Sequence, residues 1–140
     1  MDLMEAIEKR HSVRSYTGVA IDDETAEELQ REIARCNEES GLHIQLVRNE
    51  SKAFSGMMAR FGRFSGVKDY IALVGPDDGR LDELCGYYGE RVVLRAQQLG
   101  LNTCWVAMTY SKIKTAFQID AGEKLCLVIS IGYGQTQGVP

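Results

Sequence analysis

The stretch from Leu81 to Leu99 constrains the fold most strongly, because its apolar residues recur at the spacing of an α-helix. Val93 and Leu94 make this helix apolar on a second side, which is typical of a helix deep inside a fold or in a subunit interface. Gly100 is placed to terminate this helix. The main stripe consists of Leu81, Leu84, Cys85, Tyr88, Val92, Ala96 and Leu99.

Short apolar runs before and after this helix predict strands. "YIALVG" (70–75) precedes it and closes with the turn "PDDG", and "LNTCWVA" (101–107) follows it. Further strands are predicted from "LHIQLVR" (42–48), which alternates apolar and polar residues, and from "KLCLVISIGYG" (124–134).

The remaining elements are helices with recognisable ends. Asp2 is placed to cap a helix from about Leu3 to Lys9, and Asp22 to cap a second one that Gly41 terminates. Short helices are predicted at 51–61 and 111–117. The order of elements predicts an α+β fold of helices around one sheet, as a single domain over residues 1–140.

Composition excludes several classes of function. A net charge of -4 is unsuited to general nucleic-acid binding, which needs a basic surface. The N-terminus lacks the pattern of a secretory signal, and no apolar run approaches the length of a membrane helix. We therefore expect a cytoplasmic protein with neither a nucleic-acid nor a membrane partner.

The cysteines and histidines give no motif for a metal. Four cysteines, at positions 36, 85, 104 and 126, show no C-x-x-C pair, so four reduced thiols are expected. The two histidines are His11 and His43, and His43 falls on the polar side of its alternating strand, as a surface residue does. We expect no metal site.

A basic cluster follows the first predicted helix. Lys9, Arg10, His11 and Arg14 surround Ser12 in the sequence "EKRHSVRSY". Cations at the end of a helix often just complement its dipole. The same residues could instead hold an anionic group such as the phosphate of a cofactor.

The C-terminal "GYGQTQG" (132–138) is not a dinucleotide fingerprint. Its spacing is G-x-G-x-x-x-G, and only two residues follow, too few for a helix that could hold a pyrophosphate. A turn after a strand is the expected structure. Neither a P-loop nor a G-x-S-x-G motif occurs.

Three segments in the same order resemble the nitroreductase family of flavin enzymes. They are "AIEKRHSVRSY", "GYYGERVVLRAQQLGLNTCWVA" and "VISIGYG". In that family Arg-Arg-Ser-x-Arg follows the first helix and Leu-Gly-Leu-Gly-Thr-Cys-Trp follows the long central helix. The resemblance covers most of the chain and implies a nitroreductase-like central sheet flanked by helices.

The resemblance implies FMN bound between two subunits of a homodimer. Arg10, His11 and Ser12 would face the phosphate, and Arg14 would reach the ribityl chain or the pyrimidine edge of the ring, where a cation stabilises the reduced flavin.

The segment from Cys104 to Met108 would run along the flavin ring, with Trp105, Val106 and Ala107 as its cofactor-binding residues. For Trp105, a place in the core is an equally good interpretation.

The implied reaction transfers hydride from NAD(P)H to FMN and then to a small-molecule electron acceptor such as a nitroaromatic or a quinone. No catalytic side chain is expected, because the flavin performs the chemistry. Compared with that family, the chain is expected to lack the usual C-terminal segment. The alternative function is therefore a non-catalytic homodimeric scaffold, or a weak flavin-binding protein that has lost part of the site.

Overall fold

The computed structural model describes residues 1–50, 64–107 and 116–140. Within these ranges the helices are α1 (Leu3–Lys9), α2 (Asp23–Ser40) and α3 (Leu81–Gln98), and the strands are β1 (Gln45–Val47), β2 (Asp69–Pro76), β3 (Asn102–Val106) and β4 (Glu123–Gly132). The short helices predicted at 51–61 and 111–117 fall wholly or mainly outside the described residues and stay predictions.

The described strands form one antiparallel sheet in the order β1-β2-β4-β3. Ile129 on the central strand β4 pairs with Ile71 on one side and with Trp105 on the other. The sheet with its helices confirms the α+β class.

Helix ends follow from local side-chain chemistry, as predicted. The Asp2 carboxylate accepts the backbone N–H of Glu5 at 2.9 Å, and the Asp22 carboxylate accepts that of Thr25 at 2.8 Å. After α2, Gly41 has a φ of 77°, in the left-handed region that glycine adopts most readily. Each cap satisfies a backbone group that the helix itself leaves unpaired.

The sheet buries apolar residues on both faces. One face packs against α2 and α3, where Leu29, Ile33 and Val92 meet Ile71 and Ile129. On the opposite face the described residues that pack against the sheet lie outside the helices, and the buried residues of this face include Val13, Tyr16, Phe64, Val67, Tyr70 and Val128. The segment after α1 is therefore part of the core on this second face.

The second apolar side of α3 is used within the chain itself. Val92 and Val93 are both fully buried, so of the two alternatives for this helix these residues take the place inside the fold, not the one in a subunit interface. Leu94 is half-buried. The buried alternative for this helix is the one that the structure confirms.

Exposed apolar surface occurs instead on α1, which packs against α3. Its larger apolar residues are directed away from the core, with Leu3 53%, Met4 64% and Ile7 50% exposed, while Ala6 is fully buried. Tyr87 on α3 is 65% exposed. Helix α1 thus contributes little of its apolar surface to the core of its own chain.

All four cysteines are free, as expected. Among the described helices, none has the length and apolar character needed to cross a membrane.

Candidate functional site

The segment from Arg10 to Tyr16 leaves α1 and is fixed by backbone hydrogen bonds to several parts of the chain. The Val13 N–H donates to the Thr103 carbonyl at 3.0 Å, and the Tyr16 N–H donates to the Ser65 carbonyl at 2.9 Å. In return, the Ser65 N–H donates to the Arg14 carbonyl at 3.0 Å. The basic cluster is therefore held on the edge of β3.

Two side chains of this segment, those of Val13 and Tyr16, point inward. Val13 and Tyr16 are 4% exposed each, and the Tyr16 hydroxyl lies 2.7 Å from the Ser130 hydroxyl. Ser12 and Arg14 are exposed. Within the described part of the chain, neither the Ser12 hydroxyl nor the Arg14 guanidinium has a hydrogen-bond partner, so both are available to a ligand.

The C-terminal tail packs alongside this segment. The Thr17 N–H donates to the Tyr133 carbonyl, and the Gln135 N–H donates to the Ser15 carbonyl, each at 2.9 Å. Residues 133–140 contain no helix, as predicted for a turn after a strand. The tail therefore supports the segment that carries the basic cluster.

Gly138 allows this close approach. It has a φ of 87°, and a Cβ there would lie 2.7 Å from the Cβ of His11 and 3.1 Å from the Ser12 carbonyl oxygen. A larger residue would push the tail away from the basic cluster.

Asn102 ties the tail to β3. Its side-chain oxygen accepts the Gly134 N–H at 2.9 Å, and its amide nitrogen donates to the Gln137 side chain at 3.1 Å. Asn102 is 2% exposed. No role was predicted for Asn102, although a polar side chain within the short apolar run "LNTCWVA" is a signal that could have identified it.

Arg10 is the least exposed cation of the cluster. Its side chain is 25% exposed, and its Nε lies 3.8 Å from the Glu90 Oε1 on α3. Its Nη1 is buried and has no hydrogen-bond partner in the described structure. A buried guanidinium nitrogen without a partner is costly unless a ligand satisfies it.

Glu90 was missed by the sequence analysis, although it lies inside one of the quoted segments. Burial raises the pKa of its carboxyl group, and the charge of Arg10 and a hydrogen bond from the Trp105 side chain offset only part of that rise. The helical spacing of α3 gives no signal that would have singled out this carboxylate.

Trp105 packs against α3, beside Glu90. A Cβ on Gly89 would lie only 2.6 Å from Cη2 of its indole, so the ring requires glycine at that position. Its neighbours Cys104 and Val106 belong to the core on the opposite face of the sheet. This placement favours the interpretation of Trp105 as a core aromatic residue.

The predicted site residues are therefore only partly brought together. Arg10, Ser12 and Trp105 converge near β3, with Glu90 between Arg10 and Trp105. His11 lies against Gly138, and Ala107 is exposed after β3. Met108 lies outside the described residues.

A second polar cluster lies at the other end of the fold. His43 is half-buried rather than fully exposed, and its Nδ1 lies 3.0 Å from Glu123 and 3.9 Å from Asp120. The three ligand atoms all lie within 4.8 Å of one another, a spacing at which they could hold a metal ion. These three residues form no metal-binding motif in the sequence, so the grouping was not predicted.

Comparison with known proteins places the whole chain in one family. Residues 2–140 match the family model described as "Putative TM nitroreductase". No curated protein sequence matches the chain.

The fold is shared with solved structures at low sequence identity. An FMN-dependent nitroreductase from Clostridium difficile R20291 gives a TM-score of 0.74 at 17% identity, over 95% of this chain and 88% of that one. A putative nitroreductase from Desulfovibrio desulfuricans, solved in complex with FMN, gives 0.74 at 20% identity over 100% and 90%. A nitroreductase family protein from Clostridium novyi NT gives 0.73 at 20% identity over 96% and 86%.

The family match spans almost the entire chain and agrees with the resemblance of the three sequence segments and with the antiparallel fold. The protein therefore belongs to this nitroreductase family.

Proposed function

We propose that the protein is an FMN-dependent oxidoreductase that takes hydride from NADH or NADPH and reduces a small-molecule acceptor such as a nitroaromatic or a quinone. Family membership and the fold shared with FMN-dependent proteins support this proposal. The observation that carries it is the buried Nη1 of Arg10, which has no hydrogen-bond partner in the described structure. Arg10 follows directly after α1 and is close in sequence to Ser12.

The residues of the basic cluster fit a phosphate group. A guanidinium presents a fork of donors that matches phosphate oxygens, and a serine hydroxyl adds another donor. Arg10 and Ser12, with His11 between them, would hold the phosphate of FMN, and the exposed Arg14 would serve the ribityl chain or the pyrimidine edge. The backbone bonds to Thr103 and Ser65 keep these donors in place before a ligand arrives.

When bound, FMN would supply the hydride chemistry, accepting from a reduced nicotinamide and donating to the acceptor. The protein's own residues would bind and orient. The backbone of Trp105, Val106 and Ala107 would lie along the ring, and Arg14 would offer a fixed positive charge. No side chain is assigned a proton transfer.

A homodimer is part of the proposal. The exposed residues Leu3, Met4 and Ile7 of α1, with Tyr87 of α3, give an apolar surface of the kind that monomers rarely leave in water. Light scattering should show twice the mass of the 15.6 kDa chain, and Ile7→Glu should shift the protein toward the monomer. A wild-type protein of 15.6 kDa would contradict this part.

A cytoplasmic location also belongs to the proposal. Four free cysteines, three of them buried, are typical of proteins in a reducing compartment.

Anaerobic addition of NADH or NADPH to the FMN-loaded protein tests the reaction. The flavin absorbance should be lost with one of the two nicotinamides and should return when an acceptor is added. Bound FMN that neither nicotinamide reduces would contradict the reductase assignment. A colourless protein that does not take up FMN would support the alternative of a non-catalytic scaffold.

A further inference from the structure

The carboxylate of Glu90 connects three elements of the candidate site. It extends from α3, lies 3.8 Å from the Nε of Arg10 just after α1, and lies close enough to the side chain of Trp105 on β3 for that side chain to lower its pKa. Gly89, the preceding residue, lets the indole lie directly on the helix. This carboxylate is the one charged acceptor that the described structure gives to Arg10.

Glu90 occupies only one edge of the Arg10 guanidinium. The contact is made through Nε, whereas Nη1 is buried without a partner among the described residues. A guanidinium has five N–H donors, so the contact with Glu90 leaves donors for a second anion. Among the described residues, Arg10 therefore has one anionic partner and an N–H donor group that stays unpaired.

Glu90 is a weakly compensated counter-ion. Its side chain is 40% exposed, its distance from Arg10 is long for an ion pair, and its pKa is raised because burial outweighs the two partners. A phosphate group on the free edge of Arg10 would place a second negative charge near this carboxylate. The two anions repel each other, and they also share one cation.

We infer that Glu90 is the built-in counter-ion of Arg10 and that, acting through Arg10, it limits how tightly the site holds a phosphate group. Glu90 keeps the guanidinium in place while the site is empty and lowers the affinity when an anion arrives. It is a positioning residue and is not expected to touch the ligand. The inference rests on the proposed function only in taking FMN as the natural source of that phosphate.

The decisive variant is Glu90→Gln, which keeps the size of the side chain and an oxygen that can accept from Arg10 and Trp105, but removes the charge. Phosphate should bind about tenfold more tightly to this variant. This is the factor expected when the repulsion between the phosphate and one nearby carboxylate, partly screened by solvent, is removed. A purely structural role could not produce tighter binding. Loss of packing or of a hydrogen bond could only weaken the site.

The control is Glu83→Gln, which removes the same charge from the same helix two turns away, where the residue is exposed and makes no ion pair in the described structure. It should leave phosphate affinity unchanged. The variant Arg10→Ala should bind phosphate weakly, and adding Glu90→Gln to it should bring no gain. Arg10→Gln is the milder replacement if Arg10→Ala fails to fold.

Inorganic phosphate is the first probe. At constant ionic strength set with chloride, the rise of Tm with phosphate concentration gives the affinity for each variant. The inference is supported if the Glu90→Gln gain appears and disappears in the Arg10 background. It is overturned if Glu90→Gln binds equally or more weakly, if the gain survives without Arg10, or if no variant responds to phosphate.

Titration with FMN, followed by quenching of its fluorescence, separates the inference from the proposed function. Tighter phosphate binding to Glu90→Gln in a protein that does not take up FMN would overturn the flavin assignment and leave the role of Glu90 standing. FMN bound equally by wild type and Glu90→Gln would overturn the role of Glu90 and leave the flavin assignment standing.

Discussion

The backbone N–H of Val13 donates a hydrogen bond of 3.0 Å to the carbonyl oxygen of Thr103. This bond attaches the segment with Arg10, Ser12 and Arg14 to β3, the strand that also holds Trp105. Two of the sequence segments that resemble the nitroreductase family therefore lie side by side, although they are about ninety positions apart.

Gly138→Ala should weaken FMN binding about threefold or more. The substitution would disturb the C-terminal tail, which holds the segment with Arg10 and Ser12 in place before FMN binds. The new Cβ would lie 2.7 Å from the Cβ of His11. Gly41→Ala is the matched control, since it has the same strain from positive φ but no atom within 4 Å of the added Cβ. Calorimetric titration should show weaker binding for Gly138→Ala alone, and equal affinities would contradict the role of the tail.

Two glycines of α3 should respond in opposite directions to alanine. Gly89→Ala should lower the free energy of unfolding by about 1 to 3 kcal/mol, because its Cβ would meet the Trp105 indole at 2.6 Å. At Gly86 an added Cβ has no neighbouring atom within 4 Å, so Gly86→Ala should raise the free energy of unfolding by about 0.5 to 1 kcal/mol, because alanine has the higher helix propensity. Urea unfolding measures both. A stabilising Gly89→Ala would mean that Trp105 does not pack on this helix.

Tyr16→Phe should lower the free energy of unfolding by about 1 to 2 kcal/mol, because the buried Ser130 hydroxyl loses its hydrogen bond to the Tyr16 hydroxyl. Tyr87→Phe is the control and should have almost no effect, since Tyr87 is 65% exposed. Thermal and urea unfolding of both variants provide the comparison. Equal effects of the two substitutions would show that the hydrogen bond between Tyr16 and Ser130 contributes nothing to stability.

The stability of the Glu90→Gln variant relative to wild type should depend on pH. The pKa of Glu90 is raised in the folded protein, so the folded state holds the proton more tightly than the unfolded state does. The stabilising contribution of protonated Glu90 is complete below the unfolded pKa of about 4.3 and is lost as pH rises through the folded value.

At a pH above the folded pKa of Glu90, the Glu90→Gln variant should therefore melt at a higher temperature than wild type. This difference in Tm should shrink as the pH is lowered. Melting curves over a pH series measure it, with both proteins in the same buffers. A difference that stays constant with pH, or that grows on acidification, would contradict the raised pKa of Glu90.

Local rules were sufficient for the helix ends and for the fold class. Asp2, Asp22 and Gly41 act as predicted because a cap depends only on the few residues next to it. The strand predicted at 42–48 is confirmed only over Gln45–Val47, since ladder bonds depend on the neighbouring strand β2 as well as on alternation.

Long-range contacts were beyond the sequence pattern. The pairing of Arg10 with Glu90 joins residues eighty positions apart. Nothing in the helical spacing of α3 indicates which of its carboxylates would pair with Arg10. The same limit applies to Val93, whose apolar character fits a core and an interface equally well until the sheet is in place. Spacing tells which side chains share a face, whereas tertiary packing decides what covers that face.

The central claim is that Arg10 and its neighbours bind the phosphate of FMN, and calorimetric titration of the protein with FMN tests it most directly. The account predicts saturable binding to wild type, an affinity about tenfold or more lower for Arg10→Ala, and an unchanged affinity for Arg80→Ala, which removes an exposed arginine without a side-chain partner in the described structure. Absence of FMN binding to wild type, or equal binding to wild type and Arg10→Ala, would contradict it.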